Sequence, residues 1–306
     1  MMQKLIVILG PTASGKTALA HSLAGVFAGE IINADSRQMY RGMSIGTAKP
    51  DLQQTTNNKQ PDTYQIKGIT YHLFDVLEPD EEFSVAQYKK LAIKTIQEVT
   101  ARGKLPFLVG GSGLYIQTVV DNLTLPEVPP QKELRAMLEQ KSAQELLAML
   151  KERDIKAAQM IDNANKRRLI RALEVIMATG KPFSQQLKRG PRLFDTLCLA
   201  LDIPLKELYN NIELRAQKMI NQGLEQEVNL LAKQYGWNAL LTSTIGYKEW
   251  QGYPEGQKNI EQVRQEITKN TKLLVKKQYT WFLKQKVVRW IQDKDQARIL
   301  IQKHLT

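Results

Sequence analysis

A glycine-rich segment near the start of the chain carries the clearest chemical signal. Its eight residues fit a phosphate-loop pattern at every fixed position: Gly10, Pro11, Thr12, Ala13, Ser14, Gly15, Lys16 and Thr17. In such loops the glycines let backbone N–H groups point inward, the lysine neutralises phosphate oxygens, and the last hydroxyl can bind Mg²⁺. The segment therefore predicts a site for two or more linked phosphates, which need not belong to a nucleotide.

A carboxylate, Asp35, is the second candidate, at the start of the run Asp35-Ser36-Arg37-Gln38-Met39-Tyr40. It follows an apolar stretch at residues 30 to 34. Residues at the carboxyl ends of parallel strands face the ligand crevice, so we expect Asp35 near the phosphate loop. The alternative role is the N-cap of a helix, because Asp before Ser and Gln caps well. Spacing alone leaves both roles open.

Two further features carry weaker signals. An ATP-driven motor needs an apolar strand that ends in an acid near Mg²⁺, and Asp202 is the one formal candidate. It is followed by Ile203 and Pro204, as at an ordinary strand exit. Gly110-Gly111-Ser112-Gly113-Leu114-Tyr115 forms another glycine turn, which alone is typical of any tight connection.

The elements that must position these residues alternate between strands and helices. Apolar residues 4 to 9 predict a strand buried on both faces, and a helical pattern starts at Thr17. Further strands are predicted at residues 30 to 34, 106 to 109 and 195 to 203. This alternation predicts an α/β protein with a parallel-sheet core like that of P-loop NTPases. We assign residues 1–124 and 193–306 to this core.

Two stretches differ from that alternation. Residues 125–192 contain no convincing strand, and the helical spacing of their apolar positions ends at Gly180 with Pro182 beyond, so we predict a helical insertion. From about residue 204 to the end the pattern is helical, with breaks near residues 236–244 and 252–256. Residues 53–60 are predicted to be a polar loop.

The net charge of +12 is concentrated in two windows of the 306 residues. Residues 165–192 hold eight Lys and Arg against Glu174, and residues 264–289 hold eight against Glu266, so each window carries +7. Such concentration is typical of a surface for a polyanion, and four aromatic residues interleave with the second window: Tyr279, Trp281, Phe282 and Trp290. The alternative is two solvated basic helix faces.

Composition excludes several classes of protein. The longest apolar run, residues 5 to 9, is far too short for a membrane span and does not fit a signal peptide, so we expect a cytoplasmic protein without membrane contact. One cysteine and three histidines cannot build a disulfide scaffold or a zinc finger. No heptad seam is visible, and we expect a monomer.

Several motifs in fixed order resemble the tRNA dimethylallyltransferases of bacterial type, also called isopentenyl-tRNA transferases. The resemblance extends across nearly the whole chain. It rests on the phosphate loop, residues 35–40, Gly46-Thr47-Ala48-Lys49-Pro50, Tyr71-His72-Leu73-Phe74-Asp75, Phe83-Ser84-Val85-Ala86-Gln87-Tyr88, the turn at 110–115, Arg167 to Val175, Ile245-Gly246-Tyr247-Lys248-Glu249 and Lys276 to Phe282.

The resemblance implies transfer of a dimethylallyl group from its diphosphate to the exocyclic amine of the adenine just 3′ of the anticodon in tRNA. The phosphate loop would bind the diphosphate, with Lys16, Thr17 and Mg²⁺ stabilising the leaving charge. Asp35 would be the catalytic base, and Arg215 would face the diphosphate. The alternatives are a small-molecule kinase that uses ATP and a nucleic-acid-binding ATPase.

The resemblance also implies how the anticodon stem-loop is held, since the target base must leave its stack to enter such a pocket. Asp35, Ser36, Arg37 and Gln38 would bind the flipped base, and Ser112 would lie against the substrate. The remaining tRNA contacts are assigned to Arg135, Arg167, Arg168, Leu169, Ile170, Arg171, Gly246, Tyr247 and Lys248. The apolar side chains among them also suit packing within a helix.

Overall fold

A computed structural model describes residues 2–51 and 63–306, so the polar loop predicted at 53–60 lies outside the described residues. The chain divides into two compact units. The first comprises the described residues of Met1–Ser84, Tyr88–Ile116 and Leu193–Thr306, and the second comprises Val85–Gln87 and Gln117–Arg192. No helix in the described ranges is long and apolar enough to cross a membrane.

The described residues form nine strands, which we number along the chain. They are β1 Gln3–Leu9, β2 Gly29–Asn33, β3 Thr63–Ile66, β4 Ile69–His72, β5 Leu105–Gly110, β6 Leu123–Thr124, β7 Lys188–Arg189, β8 Phe194–Leu201 and β9 Val288–Ile291.

Thirteen α-helices lie between and after these strands in the same part of the chain. They are α1 Lys16–Val26, α2 Val85–Ala101, α3 Gly113–Val120, α4 Lys132–Glu139, α5 Ala143–Arg153, α6 Ile155–Met160, α7 Lys166–Thr179, α8 Phe183–Gln186, α9 Leu205–Asn221, α10 Leu224–Tyr235, α11 Ala239–Ser243, α12 Ile260–Leu283 and α13 Lys294–Leu305. A short 3₁₀ helix covers Lys248–Trp250.

Seven strands form the sheet of the first unit, in the order β3-β4-β2-β5-β1-β8-β9. Neighbours are parallel except β3 and β4, which pair antiparallel. Leu9 lies beside Gly110 of β5 and Ala200 of β8, and Asn33 lies beside Val109. The segments that follow β1, β2 and β5 therefore leave the sheet at one edge, which is where an open parallel sheet presents its ligand site.

The apolar run of β1 explains its central place in the sheet. Leu5 to Leu9 are each at most 2% exposed, as expected for a parallel strand covered on both faces. Ile6 and Ile8 belong to the same buried cluster as Leu19 and Leu23 of α1. This packing fixes where α1 begins relative to β1, and so fixes the loop between them.

The second unit is mainly helical and has its own apolar core. Leu146 and Leu150 of α5 pack with Leu169 and Leu173 of α7. The helix ends follow local sequence signals. A capping box of Ser142 and Glu145 starts α5, and Gly180 in the left-handed region ends α7.

Short strands are the part of the fold that sequence patterns miss. The α/β class with a mainly parallel sheet is confirmed. The prediction of helices alone after residue 204 is wrong, because β9 adds to the sheet edge beside β8. Residues 125–192 were predicted to contain no strand, but they include the two-residue strand β7, which pairs with β6 just before that stretch. Four residues or fewer carry too little periodicity to identify a strand.

A buried carboxylate, Glu30 of β2, ties neighbouring elements of the sheet together. Its Oε2 lies 2.6 Å from His72 Nε2 of β4 and 2.6 Å from Arg102 Nη2, directly after α2. Burial acts to raise the pKa of Glu30, but these hydrogen bonds and the nearby charges outweigh it and lower the pKa to about 2. The group therefore stays ionised in the folded protein under mildly acidic conditions.

The pKa of Glu30 predicts a pH-dependent stability. The unfolded chain takes up this proton near pH 4.5 and the folded chain only near pH 2, so the contribution is complete above about pH 4.5 and is lost as pH falls toward 2. We expect Glu30→Gln to lower the free energy of unfolding by about 2 kcal/mol near neutral pH. Urea denaturation at several pH values should show the difference from wild type narrowing across that window.

The matched control is Glu98→Gln, which removes an exposed carboxylate paired loosely with Lys94. It should change the free energy of unfolding by less than about 0.5 kcal/mol at any pH. A difference between wild type and Glu30→Gln that is constant with pH would contradict the electrostatic explanation.

Candidate active site

The phosphate loop, residues 10–17, connects β1 to α1. Ala13 and Gly15 have φ angles of 64° and 80°, in the left-handed region, and Gly15 is the N-cap of α1. The first turn of α1 has no acidic residue, so the positive end of the helix is uncompensated. Ser14 Oγ is buried and has no hydrogen-bond partner in the described structure. These features together are those of an anion-binding loop.

A cavity of about 510 Å³ opens beside this loop. Eight of the residues that the sequence singled out line it: Thr12, Ala13, Gly15, Lys16, Thr17, Asp35, Gln38 and Arg215. Gly10, Pro11 and Ser14 shape the loop without lining the cavity. Part of the wall is apolar, formed by Ile31, Phe74 and Val109. The cavity thus joins a cationic wall to a hydrocarbon wall.

Lys16 is the first cation of the cavity. Its Nζ donates a 3.2 Å hydrogen bond to Pro11 O, which folds the side chain back over the loop. Burial lowers the pKa of Lys16 to about 8, Asp35 opposes this shift, and Arg215 adds to it. A bound diphosphate would favour the charged form of this amine.

Arg215 of α9 is the second cation, two hundred residues further along the chain. Its Nη1 donates to Thr12 Oγ1 at 2.8 Å and its Nη2 donates to Thr47 O at 3.3 Å. Burial lowers the pKa of this guanidinium and Asp35 opposes the shift. The structure thus brings the arginine implied by the resemblance to the phosphate loop.

Asp35 lies directly after β2 and lines the same cavity. One carboxylate oxygen, Oδ1, accepts the Arg37 N–H at 3.0 Å, and Asn33 Oδ1 accepts the Asp35 N–H at 2.9 Å. Residues 36–39 form turns and not a helix, so the helix-cap alternative is wrong. The side chain stabilises a turn instead, and that turn holds the carboxylate at the edge of the cavity.

The residues after Asp35 are held by contacts from two other loops. Ser112 Oγ accepts the Ser36 N–H at 3.0 Å, and Gln38 Nε2 donates to Thr47 O at 3.0 Å. Arg37 Nη2 donates to Ser243 Oγ at 3.2 Å. The predicted base-binding residues and Ser112 therefore form one connected group.

The loop that contains Thr47 is anchored by a carboxylate the sequence did not single out. Glu227 of α10 accepts the N–H groups of Ser44, Ile45 and Gly46 at 2.8 to 3.0 Å and the Tyr247 hydroxyl at 2.7 Å. A Cβ on Gly46 would lie 2.5 Å from the Tyr247 ring. The missing side chain lets the tyrosine pack against this loop.

Two residues predicted to contact tRNA are thereby given a different role. Tyr247 is fully buried, and a Cβ on Gly246 would lie 2.9 Å from Gly46 O, so both serve the packing of this loop. The predicted contact between the Tyr247 side chain and tRNA is therefore wrong. Lys248 is half-buried, with its Nζ 3.9 Å from Glu249 Oε1.

The residues present fit a magnesium ion bound together with a diphosphate. Thr17 lines the cavity, and Ser14 of the same loop has a buried hydroxyl without a hydrogen-bond partner in the described structure. The described residues contain no cluster of three or more His, Cys, Asp or Glu that could hold a metal by itself. Mg²⁺ commonly binds through few protein groups and substrate phosphates, so this donor set suits it.

Comparison with known proteins identifies the family. The family model for IPP transferase matches residues 38–285. A tRNA dimethylallyltransferase from Roseiflexus sp. (strain RS-1) is 42% identical over 286 residues, which is 92% of this chain and 90% of the relative. The chain belongs to the IPP transferase family.

Two solved structures of similar proteins agree with this assignment. The tRNA isopentenylpyrophosphate transferase from Bacillus halodurans has a TM-score of 0.70 at 34% identity, covering 99% of this chain and 95% of that one. A eukaryotic dimethylallyltransferase acting on tRNA has a TM-score of 0.77 at 25% identity, covering 99% and 77%. The predicted resemblance and P-loop-like fold are confirmed, and the chain is a prenyl-transferring enzyme; the kinase alternative is set aside.

In the basic window of the second unit, residues 165–192, the predicted tRNA-binding residues divide into an exposed group and a buried group. Arg167 and Arg168 are exposed on α7, and none of the described carboxylates lies within ion-pair distance of them. Leu169 and Ile170 are buried in the apolar core. Their side chains therefore pack within the unit, and the predicted contacts of these side chains with tRNA are wrong. Successive residues of an α-helix lie about 100° apart around its axis, so residues 167–168 and 169–170 fall on different faces of α7.

Arg135 and Arg171 are engaged within the same unit. Glu174, fully buried, receives hydrogen bonds from Arg135 Nε and Nη2 at 2.7 and 2.9 Å and from Arg171 Nη1 at 2.6 Å. Burial acts to raise the pKa of Glu174, but hydrogen bonds from Arg135, the Gln131 N–H and Arg171 outweigh it and lower the pKa. These arginines are about one-third exposed, and both are ion-paired with a buried carboxylate. Their contact with tRNA stays a prediction.

The aromatic residues of the second basic window are also used for packing. Phe282 is fully buried, a Cβ on Gly113 would lie 2.7 Å from the Trp281 ring, and Tyr279 contacts Trp290 with ring centroids 5.3 Å apart. Phe282 is therefore a packing residue, whereas Tyr279, Trp281 and Trp290 are only half-buried. Asp202, the formal motor acid, is exposed and does not line the cavity.

Lysine 16 gives a testable pH dependence of anion binding. Because the free Lys16 amine has a pKa of about 8, its charge is complete well below that pH and is lost above it. We expect the affinity for dimethylallyl diphosphate to fall about 10-fold between about pH 7 and pH 9.5. Isothermal titration calorimetry across this range measures it.

The matched variant is Lys16→Arg, which keeps its charge across the range. Its affinity should change less than about 3-fold over the same pH values. Parallel pH profiles for the two proteins would show that some other group controls binding.

Proposed function

We propose that the chain transfers a dimethylallyl group from dimethylallyl diphosphate to the exocyclic amine of the adenine directly 3′ of the anticodon in tRNA. The observation that carries this proposal is the composition of one cavity. A phosphate loop with Lys16, the guanidinium of Arg215, an apolar wall and a carboxylate meet there, and Lys218 adds an exposed cation. A donor that combines a diphosphate with a five-carbon hydrocarbon needs the cations and the apolar wall, and an amine acceptor needs the carboxylate.

The leaving group determines the role of the cations. The bond between the allylic carbon and the diphosphate oxygen breaks, and negative charge develops on the diphosphate. Lys16, Arg215 and the backbone amides of the loop would stabilise that charge. Because Arg215 is already fixed by Thr12 and Thr47, it needs little reorganisation when the charge appears.

The acceptor determines the role of Asp35. As the adenine nitrogen bonds to the allylic carbon it must lose a proton, and the carboxylate of Asp35 would accept it. Oδ1 already accepts the Arg37 N–H, and Oδ2 receives no hydrogen bond among those the structure gives Asp35. The turn therefore orients the base and leaves one oxygen for the proton.

The apolar wall provides for the dimethylallyl group. Ile31 and Phe74 are buried at their positions beside the cavity, and Val109 lines it from β5. Hydrocarbon packed there would exclude water from the allylic carbon, which otherwise competes with the amine. Mg²⁺ bound by Thr17 would help neutralise the diphosphate as it leaves.

Two groups of residues would hold the RNA. Gln38, Ser36 and Arg37 lie beside Asp35 and suit recognition of an unstacked base. Arg167 and Arg168 present exposed charge that suits phosphates of the anticodon stem-loop. Gln38 already hydrogen-bonds to two backbone carbonyls, so its orientation is set before RNA binds.

The proposal is tested by incubating the protein with labelled dimethylallyl diphosphate and unmodified tRNA. Label should appear in tRNA, and Asp35→Asn should slow the single-turnover rate by about 10²-fold, because Asn keeps the turn but accepts no proton. The dissociation constant for tRNA should stay nearly constant.

Asp202→Asn is the matched control, since Asp202 also follows a strand but lies off the cavity. It should retain the wild-type rate. Phosphate release from ATP without label in tRNA would refute the proposed function, whereas full activity of Asp35→Asn would refute only the assignment of the base.

Substitutions in the second unit should distinguish the arginines that bind tRNA from the arginine that stabilises the fold. Replacing both Arg167 and Arg168 by Ala should weaken tRNA binding and reduce the slope of log affinity against log salt by about 2, one unit for each phosphate contact. Thermal stability should be unchanged. Arg171→Ala should instead lower the free energy of unfolding by about 2 kcal/mol, because Glu174 loses a partner while fully buried.

Lys284→Ala with Lys286→Ala removes the same charge from an exposed segment of the second basic window. This control should reduce the salt slope by less than one unit. An equal reduction in both double variants would mean that the charge of Arg167 and Arg168 acts only through the overall field.

A further inference from the structure

Gln278 of α12 connects two loops of the site through one side-chain amide. Its Oε1 accepts the N–H of Thr12 in the phosphate loop at 3.0 Å. Its Nε2 donates to Gly111 O in the glycine turn after β5, also at 3.0 Å. The two loops are about a hundred residues apart in sequence, and Gln278 lies more than 160 residues beyond either.

The geometry around this amide is specific. The amide accepts from an N–H through its oxygen and donates to a carbonyl through its nitrogen, so its two partners fix its orientation. A Cβ on Gly111 would lie 2.7 Å from Gln278 Nε2. The absence of a side chain at residue 111 therefore lets the amide reach the turn.

At the phosphate loop, Gln278 completes the fixation of Thr12. The backbone N–H of Thr12 is held by Gln278, and its hydroxyl is held by Arg215 Nη1 at 2.8 Å. Thr12 and Arg215 both line the cavity. The contact therefore sets where the cation Arg215 lies relative to the phosphate loop.

At its other end, Gln278 holds the turn that positions Asp35. Ser112, next to Gly111, accepts the Ser36 N–H through its Oγ and donates its own N–H to Ala34 O at 3.2 Å. Ala34 and Ser36 flank Asp35 on both sides. One amide thus spans from the diphosphate loop to the neighbours of the base.

We propose that Gln278 is a positioning residue that fixes the phosphate loop relative to Asp35. This inference rests on the proposed function. Transfer requires the allylic carbon, held through its diphosphate, to stand at a set distance from the amine that Asp35 deprotonates, and displacement by about 1 Å can cost about 10²-fold in rate. Gln278 touches neither reactant and acts through Thr12 and Gly111.

The contrasting role for Gln278 is direct contact with tRNA, because it lies in the second basic window between Lys277 and Tyr279. The half-buried side chain and its two backbone partners favour the internal role. The two roles differ in what they change. A positioning residue affects the rate at saturation, whereas a tRNA contact affects the dissociation constant.

The experiment compares Gln278→Met, which keeps the length but removes both hydrogen bonds, with Gln265→Met on an exposed face of the same helix. Gln265 hydrogen-bonds to Glu261 within α12. Single-turnover transfer at saturating substrates should fall about 10²-fold in Gln278→Met and be unchanged in the control. The dissociation constant for tRNA and the melting temperature should match wild type.

Gln278→Glu provides a second readout should the methionine variant fail to fold. An ionised glutamate still accepts the Thr12 N–H, but its second oxygen faces the acceptor Gly111 O and cannot donate to it. A protonated glutamate can donate its O–H to Gly111 O. The rate relative to wild type should therefore rise as the pH is lowered from about 7 to about 5, toward the ordinary pKa of a glutamate. A relative rate constant with pH would overturn the proposal, and so would a weakened tRNA affinity with an unchanged saturated rate.

Failure of the proposed function is distinguishable from failure of this inference. If wild type transfers no label, the proposed function is refuted, and binding of inorganic diphosphate replaces the rate as the readout. Gln278→Met should then bind it about 5-fold more weakly than wild type and Gln265→Met, because Thr12 and Arg215 are no longer held in place. Equal affinities for all three proteins would overturn the inference.

Discussion

The cavity confines two half-buried cations, Lys16 and Arg215, with a single carboxylate, and the rest of the site depends on this arrangement of charge; Lys218 lines the same cavity but is exposed. Burial lowers the pKa of both Lys16 and Arg215, Asp35 opposes both shifts, and Arg215 adds to the lowering at Lys16. Like charges in a desolvated space favour an anion that can neutralise both. The edge of the parallel sheet brings the loop and Asp35 to this cavity, and α9 brings Arg215, so the order of the strands determines where that charge collects.

Hydrogen bonds from neutral donors, rather than ion pairs, hold the loops around the cavity. Glu227 is bound by three backbone amides and a tyrosine hydroxyl, Asp35 by the Arg37 amide, and the Ser36 amide by Ser112. Hydrogen bonds of this kind orient a loop without adding positive charge near the substrate phosphates. The cationic side chains of the cavity therefore remain available to bind the ligand.

Local patterns in the sequence predicted β1, the phosphate loop and α1, because a continuous apolar run, fixed glycines and a helical period are all read within about twenty residues. Asp35 followed from its place after a strand. Glu227 and Gln278 were missed, since their partners lie more than a hundred residues away and an ordinary helical Glu or Gln carries no local signal. Strand β9 was missed because only the neighbouring β8 defines it.

The helical period could have corrected part of the tRNA assignment. Leu169 and Ile170 lie on the apolar side of α7, whose buried positions recur at helical spacing, while Arg167 and Arg168 fall on the other side. A motif that is continuous in sequence is split by its helix into a packed face and an exposed face. The pairing of Arg135 and Arg171 with Glu174 had no such signal, because it joins two helices.

The position of Lys16 also changes its chemical reactivity. With a pKa of about 8, about one amine in ten is neutral near pH 7, roughly 300 times the fraction for an ordinary lysine. A neutral amine is a nucleophile, and this one lies within an anion-binding loop. Lys16 is thus a target for aldehydes that carry a phosphate, and occupancy of the cavity would shield it from such labelling.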